Sequence, residues 1–342
     1  MKKCSRNNLA DHIADDQYRY YYSALTISAK DAYNKLLQGY FRHQDHIVIK
    51  VSSIEEAWSL HRLLCYDVPE LFFIKSIKGT YNPLLSTATI YPEYRFDYDT
   101  CFNILQQMEK QTKPLVQRIS ILSEWEKVRQ IHDYIVKNVT YKDLDAPYSH
   151  ESPGVLLYGI AVCEGIAKTF KYLSDRVQLR SLVIVGKAAD DSDHSLNTAG
   201  HAWNIVYVDS IPYHIDVTFD HSVSSADLAR YDYFLLSDSQ IGKDHTFGGT
   251  PECANNYEFY RITGHYADSK KSLQALVKNE LRVGIPLVVK TPDFLESTEG
   301  VAEKLLEIVT AAIPIICGLR LLVSLSYNRS RMIFQFELHR RI

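Results

Sequence analysis

The sequence predicts an α+β fold in three segments, a central domain flanked by two small units that resemble each other. Three observations lead there. Stretches of helical period alternate with short apolar runs of strand length. The order helix, strand, helix, strand, strand occurs at both ends of the chain. Between the ends, two runs of alternating apolar and polar residues meet at Asp209-Ser210, the pattern of a hairpin. A chain of 342 residues is also too long for one small core. The predicted boundaries are 1–96, 97–264 and 265–342.

In the N-terminal unit the helical patterns run from Lys30 to Tyr40 and from Ser53 to Tyr66, with the apolar run His46 to Val51 between them. Strand-like runs follow at Leu71 to Ile77 and Ser86 to Tyr91. The C-terminal unit repeats that order. Ser269 to Arg282 and Gly300 to Ala312 are helical in pattern and enclose the run Ile285 to Lys290. Leu319 to Tyr327 and Met332 to His339 then read as a hairpin around Asn328-Arg329-Ser330. Ile47-Val-Ile-Lys50 and Leu287-Val-Val-Lys290 fall at equivalent places. A chance match of common elements is the competing explanation. The central segment opens with helical patterns at Tyr98 to Lys110 and Ser123 to Val139, and Ser123 with Glu126 has capping-box spacing.

Composition narrows the function classes. The chain has 46% apolar and 23% charged residues, as ordinary globular proteins do. A formal charge of −3 and the absence of a basic run argue against nucleic acid or an anionic membrane as partner. The most apolar run, Ile308 to Leu325, contains Pro314 and Arg320, so it reads as a helix end plus a core strand rather than a membrane span. No apolar stretch follows Met1-Lys2-Lys3, so no secretory signal and a cytoplasmic location are expected. Six scattered cysteines, without a C-x-x-C pair, fit a reducing compartment and no structural zinc. Asp190-Asp-Ser-Asp-His-Ser195 lacks the glycine and final glutamate of an EF-hand loop and reads as a solvated loop, so neither metal nor cofactor is expected. The cluster Tyr18, Tyr20, Tyr21 and Tyr22 reads as amphipathic rings packed on a domain edge.

The chemistry concentrates in the central segment. Cys163 starts a helical pattern with Ile166, Ala167, Phe170 and Leu173 along one stripe. A thiol on the first turn of a helix meets free amides and the positive dipole end, which favour thiolate, the nucleophilic form. A lone cysteine is nevertheless more often buried and inert. The hairpin adds the rest. If Val208 faces Ile211, then His201 faces Thr218, Trp203 faces Asp216, and His201 and Asp216 become diagonal neighbours on one face. Val206, Val208, Ile211, Tyr213, Ile215, Val217 and Phe219 form the opposite, core face. His214 shares the face of Asp216, either tuning the site or lying on the surface. Asp216 would then orient His201, and His201 would take the Cys163 proton and return it to a leaving group.

The blocks Val162-Cys-Glu-Gly-Ile-Ala-Lys-Thr-Phe170, Gly200-His-Ala-Trp-Asn-Ile-Val206 and His214-Ile-Asp-Val-Thr-Phe-Asp220 resemble the three signature blocks of bacterial transglutaminase-like proteins, in the family's order. Val128 to Tyr141 resembles the helix-plus-tyrosine segment that commonly precedes the cysteine. Val68-Pro-Glu-Leu-Phe-Phe73 and Tyr231-Asp-Tyr-Phe-Leu-Leu236 are also similar to segments of such proteins. The resemblance implies that Cys163 is the nucleophile, His201 the base and Asp216 its orienting partner. The implied fold is a papain-like core with the cysteine helix packed against an antiparallel sheet. Ile166 departs from the family's usual aromatic, which bears on substrate-side packing. Tyr158 and the Trp203 indole N–H are candidate oxyanion donors beside the Cys163 amide. The expected activity is a cysteine hydrolase that cleaves a peptide or isopeptide bond in a peptide or protein substrate through a thioester. An amine acceptor would instead give cross-linking or cyclisation. A protein-binding scaffold is the third reading.

Overall fold

The computed structural model describes residues 9, 15–144, 148–189, 198–225, 227–291, 300–313 and 321–340. The loop at 190–195, residues 314–320, Cys4 and Cys317 lie outside these residues.

In the N-terminal unit, α1 (Ile27–Phe41) begins where the Thr26 hydroxyl accepts the Ala29 N–H at 3.3 Å. It buries Ala29, Ala32, Tyr33, Leu36 and Tyr40, the helical spacing that presents one face to a core. Then come β1 (Ile47–Lys50), α2 (Ile54–Asp67, capped by Ser53), β2 (Ile74–Asn82) and β3 (Thr87–Tyr94). Their antiparallel sheet has the order β1-β3-β2.

The central segment opens with α3 (Tyr98–Ile119) and α4 (Glu124–Asn138). The first continues past its expected end at Lys110 and through Pro114. Glu126 accepts the Ser123 N–H at 3.1 Å, the capping box expected at the start of α4. Next are α5 (Cys163–Arg176), β4 (Ser181–Ala189), β5 (Thr198–Val208), β6 (Ile211–Ile215), α6 (Val217–Val223) and β7 (His245–Thr246). The sheet is antiparallel with the order β6-β5-β4-β7.

The C-terminal unit consists of α7 (Lys270–Glu280), β8 (Leu287–Lys290), α8 (Val301–Ala312), β9 (Leu321–Asn328) and β10 (Ile333–Arg340). Its sheet order β8-β10-β9 matches that of the N-terminal unit strand for strand. The packing of the two units differs. Tyr33 and Phe73 share one apolar core with Leu105, Ile135 and Phe170 of the central helices. Leu273, Val289, Leu305 and Phe336 form a core of their own.

Around α5 the environment is closed on every side, not only along the stripe of Ile166, Ala167, Phe170 and Leu173. Its buried charges are therefore paired. Lys168 lies 3.0 Å from Glu151 and 2.9 Å from Glu164, and Lys171 lies 2.6 Å from Asp175. On the sheet side, the Asn204 amide donates to Ala167 O at 3.0 Å and ties the helix to β5.

The tyrosine cluster sits where the N-terminal unit meets β4. Tyr21 donates its hydroxyl to Val183 O at 2.7 Å. The buried Asp67 carboxylate accepts the Tyr21 N–H at 3.1 Å, the Tyr22 N–H at 2.8 Å and the Tyr33 hydroxyl at 3.1 Å. Asp67→Ala strands these donors and is expected to cost about 3 kcal/mol. The check is urea unfolding, read as a lower midpoint at unchanged slope. A loss under about 1 kcal/mol would mean that other groups satisfy the donors.

Candidate active site around Cys163

Cys163 is the first residue of α5, and no side chain caps that helix start. The loop before it is held close. Val162 N–H bonds to Ser149 O at 2.9 Å, and a side chain at Gly165 would meet the same oxygen at 2.6 Å. Glycine after Cys-x thus lets the loop lie against the first turn. A short parallel pairing of Thr140–Tyr141 with Ile160–Ala161 brings Tyr141 alongside. Burial and the nearby Cys163 thiol raise its phenol.

The hairpin has the expected register from Val208↔Ile211 to Asn204↔Ile215. Asp209 and Ser210 both take positive φ, 51° and 67°, as a tight two-residue turn requires. Beyond Ile215 the expectation fails. His201 does not pair with Thr218, nor Trp203 with Asp216, because Asp216 turns the chain into α6. Val217, Thr218 and Phe219 are helical rather than strand residues.

Asp216 nevertheless reaches His201, from a helix cap instead of a strand. Its Oδ1 accepts the N–H groups of Thr218 at 2.9 Å and Phe219 at 3.1 Å. Its Oδ2 lies 2.6 Å from His201 Nε2 and 3.0 Å from His245 Nε2. The Cys163 sulfur lies close enough to the His201 ring to favour its protonated form. Nε2 is engaged by Asp216, so Nδ1 is the nitrogen left for sulfur. Burial opposes charge on His201. The Asp216 carboxylate and, to a smaller degree, the thiol outweigh it and raise the imidazole to about 10. Burial alone would raise Asp216, but His201 and His245 hold it below the ordinary carboxylate range.

Trp203 is not an oxyanion donor. Its ring lies behind His201, with centroids 5.7 Å apart and planes 17° from parallel. The indole N–H points away and donates to His214 Nδ1 at 3.0 Å. His214 is buried, not a surface residue, and its Nε2 lies 2.8 Å from Asp238. An indole can only donate, so Nδ1 is an acceptor and Nε2 carries the proton. Potential ligand atoms of His214, Asp238 and Cys253 lie within 4.8 Å of one another, yet this histidine has no free lone pair for a metal. Tyr158, 54% exposed, stacks on Tyr148 with ring centroids 4.6 Å apart. Ile166 is buried in the main core, so its departure from the aromatic is absorbed by packing.

Sequence reasoning missed His245. It lies in the sheet's edge strand, 29 residues beyond Asp216, in a stretch without periodic pattern. Gly186, paired with His201 in register, admits that strand. A Cβ there would run into the Thr246 carbonyl and come within 2.7 Å of the Trp203 ring.

The raised His201 value has a stability consequence. Its contribution is complete below the unfolded pKa of about 6.5 and is lost as pH climbs toward the folded value. Between pH 6.5 and 9 the wild type should therefore lose stability relative to His201→Gln, as measured by urea unfolding at each pH. A constant difference would sink the claim.

Residues 113–216 match the family model of the transglutaminase-like superfamily. No curated protein matches the chain. Among solved structures, the chain is similar to a candidate cysteine protease from Cytophaga hutchinsonii at 15% identity and TM-score 0.27, over 42% of this chain and 61% of that one. It is also similar to a TGase at 14% identity and TM-score 0.31, over 60% of each chain. A candidate protease from Parabacteroides distasonis matches at 12% identity and TM-score 0.25, over 41% of this chain and 35% of that one. The chain thus spans about three fifths of the first two, and likenesses this weak do not bear on activity. The matched segment contains Cys163, His201 and Asp216. Over residues 113–216 the chain is similar to the transglutaminase-like superfamily.

Proposed function

We propose that this chain is a cysteine-nucleophile amide hydrolase acting on a peptide or protein through a thioester. Cys163 is the nucleophile, His201 the general base and acid, and Asp216 the group that orients and charges His201. One observation carries the reading: a thiol at a helix start lies beside an imidazole whose Nε2 is 2.6 Å from a buried carboxylate. In the first half-reaction the sulfur adds to the substrate carbonyl carbon while its proton passes to His201. The C–N bond then breaks, and His201 returns the proton to the departing amine. In the second half-reaction His201 takes a proton from water. The hydroxide attacks the thioester, the carboxylic acid leaves, and the thiol is restored.

The scaffold reading predicts idle thiols throughout. Burial raises Cys65, Cys101 and Cys253 each to about 12, which leaves them almost wholly as unreactive thiols near neutrality. Cys163 is part-exposed. Iodoacetamide at pH 7 should therefore label Cys163 at least about tenfold faster than those three, with the rate falling in His201→Ala. Equal labelling of the four would favour the scaffold.

Release by water or by an amine uses the same thioester. An amide donor incubated with a labelled primary amine should yield acid without label in the product. Label in the product would replace the hydrolase with an acyltransferase.

A further inference from the structure

The charge network does not end at Asp216. His245 lies between two carboxylates, with Nε2 3.0 Å from Asp216 Oδ2 and Nδ1 2.7 Å from Asp244 Oδ1. Asp244 is in turn saturated with donors. Its Oδ1 accepts Arg331 Nη2 at 2.6 Å, and its Oδ2 accepts the Tyr233 hydroxyl at 2.9 Å and the Ser330 hydroxyl at 3.2 Å. Arg331 is only 3% exposed. Its Nη1 bonds to the Gln240 carbonyl, and its guanidinium lies over the Tyr233 ring at 4.3 Å. Arg331 and Ser330 come from the β9–β10 hairpin turn of the C-terminal unit.

Both carboxylates bonded to His245 are acceptors only when ionised. Each ring nitrogen must then donate, so His245 carries a proton on both and is a cation. The groups facing it are Asp216, Asp244, His201 at 5.5 Å between ring centroids, His214, Tyr233 at 5.8 Å, and Arg331 beyond Asp244. Asp216 therefore divides one negative charge between two imidazoles.

We infer that Arg331 of the C-terminal unit is a positioning residue of the Cys163 site, acting through Asp244 and a charged His245 on the Asp216 carboxylate. The inference rests on the proposed roles of Cys163 and His201. It gives the C-terminal unit a task within the chemistry: its hairpin turn fixes the segment 240–245, and that segment fixes the second imidazole. A cation beside Asp216 weakens its pull on the His201 proton, which makes the imidazolium a better acid toward the leaving amine.

Two full-length variants test this. His245→Gln keeps an amide donor toward Asp216 but removes the charge. Nitrogen-15 NMR of labelled histidine should show both His245 nitrogens protonated in the wild type at neutral pH. In His245→Gln the titration point of His201 should move upward by about half a pH unit or more. Arg331→Met should move the His201 titration point upward in the same direction and perturb the His245 signals, with Arg331→Lys restoring most of both. If the His201 titration and the His245 signals stay at wild-type values in Arg331→Met while only the melting temperature falls, Arg331 is merely structural and the inference is lost. A wild-type Cys163 no faster than Cys65, Cys101 and Cys253 is a separate outcome. It removes the hydrolase reading, while the NMR arm still decides whether Arg331 and His245 set the charge of His201.

Discussion

A buried negative charge must be solvated by its surroundings or not exist, and Asp216 meets that demand with protein donors. Two backbone amides satisfy one oxygen and two imidazoles the other. Much of the central domain follows from this arrangement. The strand must end at Ile215 so that a helix can offer its first amides. β5 must present His201 to the cap, and the edge strand must come close enough for His245. Removing either imidazole leaves an under-solvated carboxylate and disturbs the other.

The cysteine helix faces the same constraint in a different form. Because α5 is enclosed on all sides, its lysines cannot reach solvent, and each is matched with carboxylates. Such pairs give little net stability but fix the helix register, which places the thiol. The flanking units build the same topology and use it differently. The N-terminal unit merges its core with that of the central helices and adds Tyr66 to the apolar cluster that holds Cys163. The C-terminal unit keeps a core of its own, contributes Ile333 to the main one, and touches the site through a turn.

Features with local causes were readable in the sequence. The alternation around Asp209-Ser210 set the register, since a one-residue slip would have turned Val206, Val208 and Tyr213 away from the core. The Ser123 capping box marked the start of α4. The end of β6 was not readable, because Val217-Thr-Phe219 continues the alternation and an aspartate suits a strand's polar face as well as a helix cap. Trp203 was misjudged because its partner, His214, lies on the neighbouring strand. Asp244, His245 and Arg331 follow from tertiary closure alone, Arg331 standing 87 positions after Asp244. The helix through Pro114 shows packing overriding a local breaker, the pyrrolidine costing one backbone bond in a long helix whose apolar face is buried.

Gly186 shows how little separates these arrangements. It stands opposite His201, with the indole that backs that ring on one side and the edge strand on the other. The missing methyl group acts as a spacer of zero thickness. Any larger residue must push out either the wall behind the first imidazole or the ribbon that carries the second. The smallest side chain in the sheet therefore sets the gap across which a carboxylate can hold two rings at once.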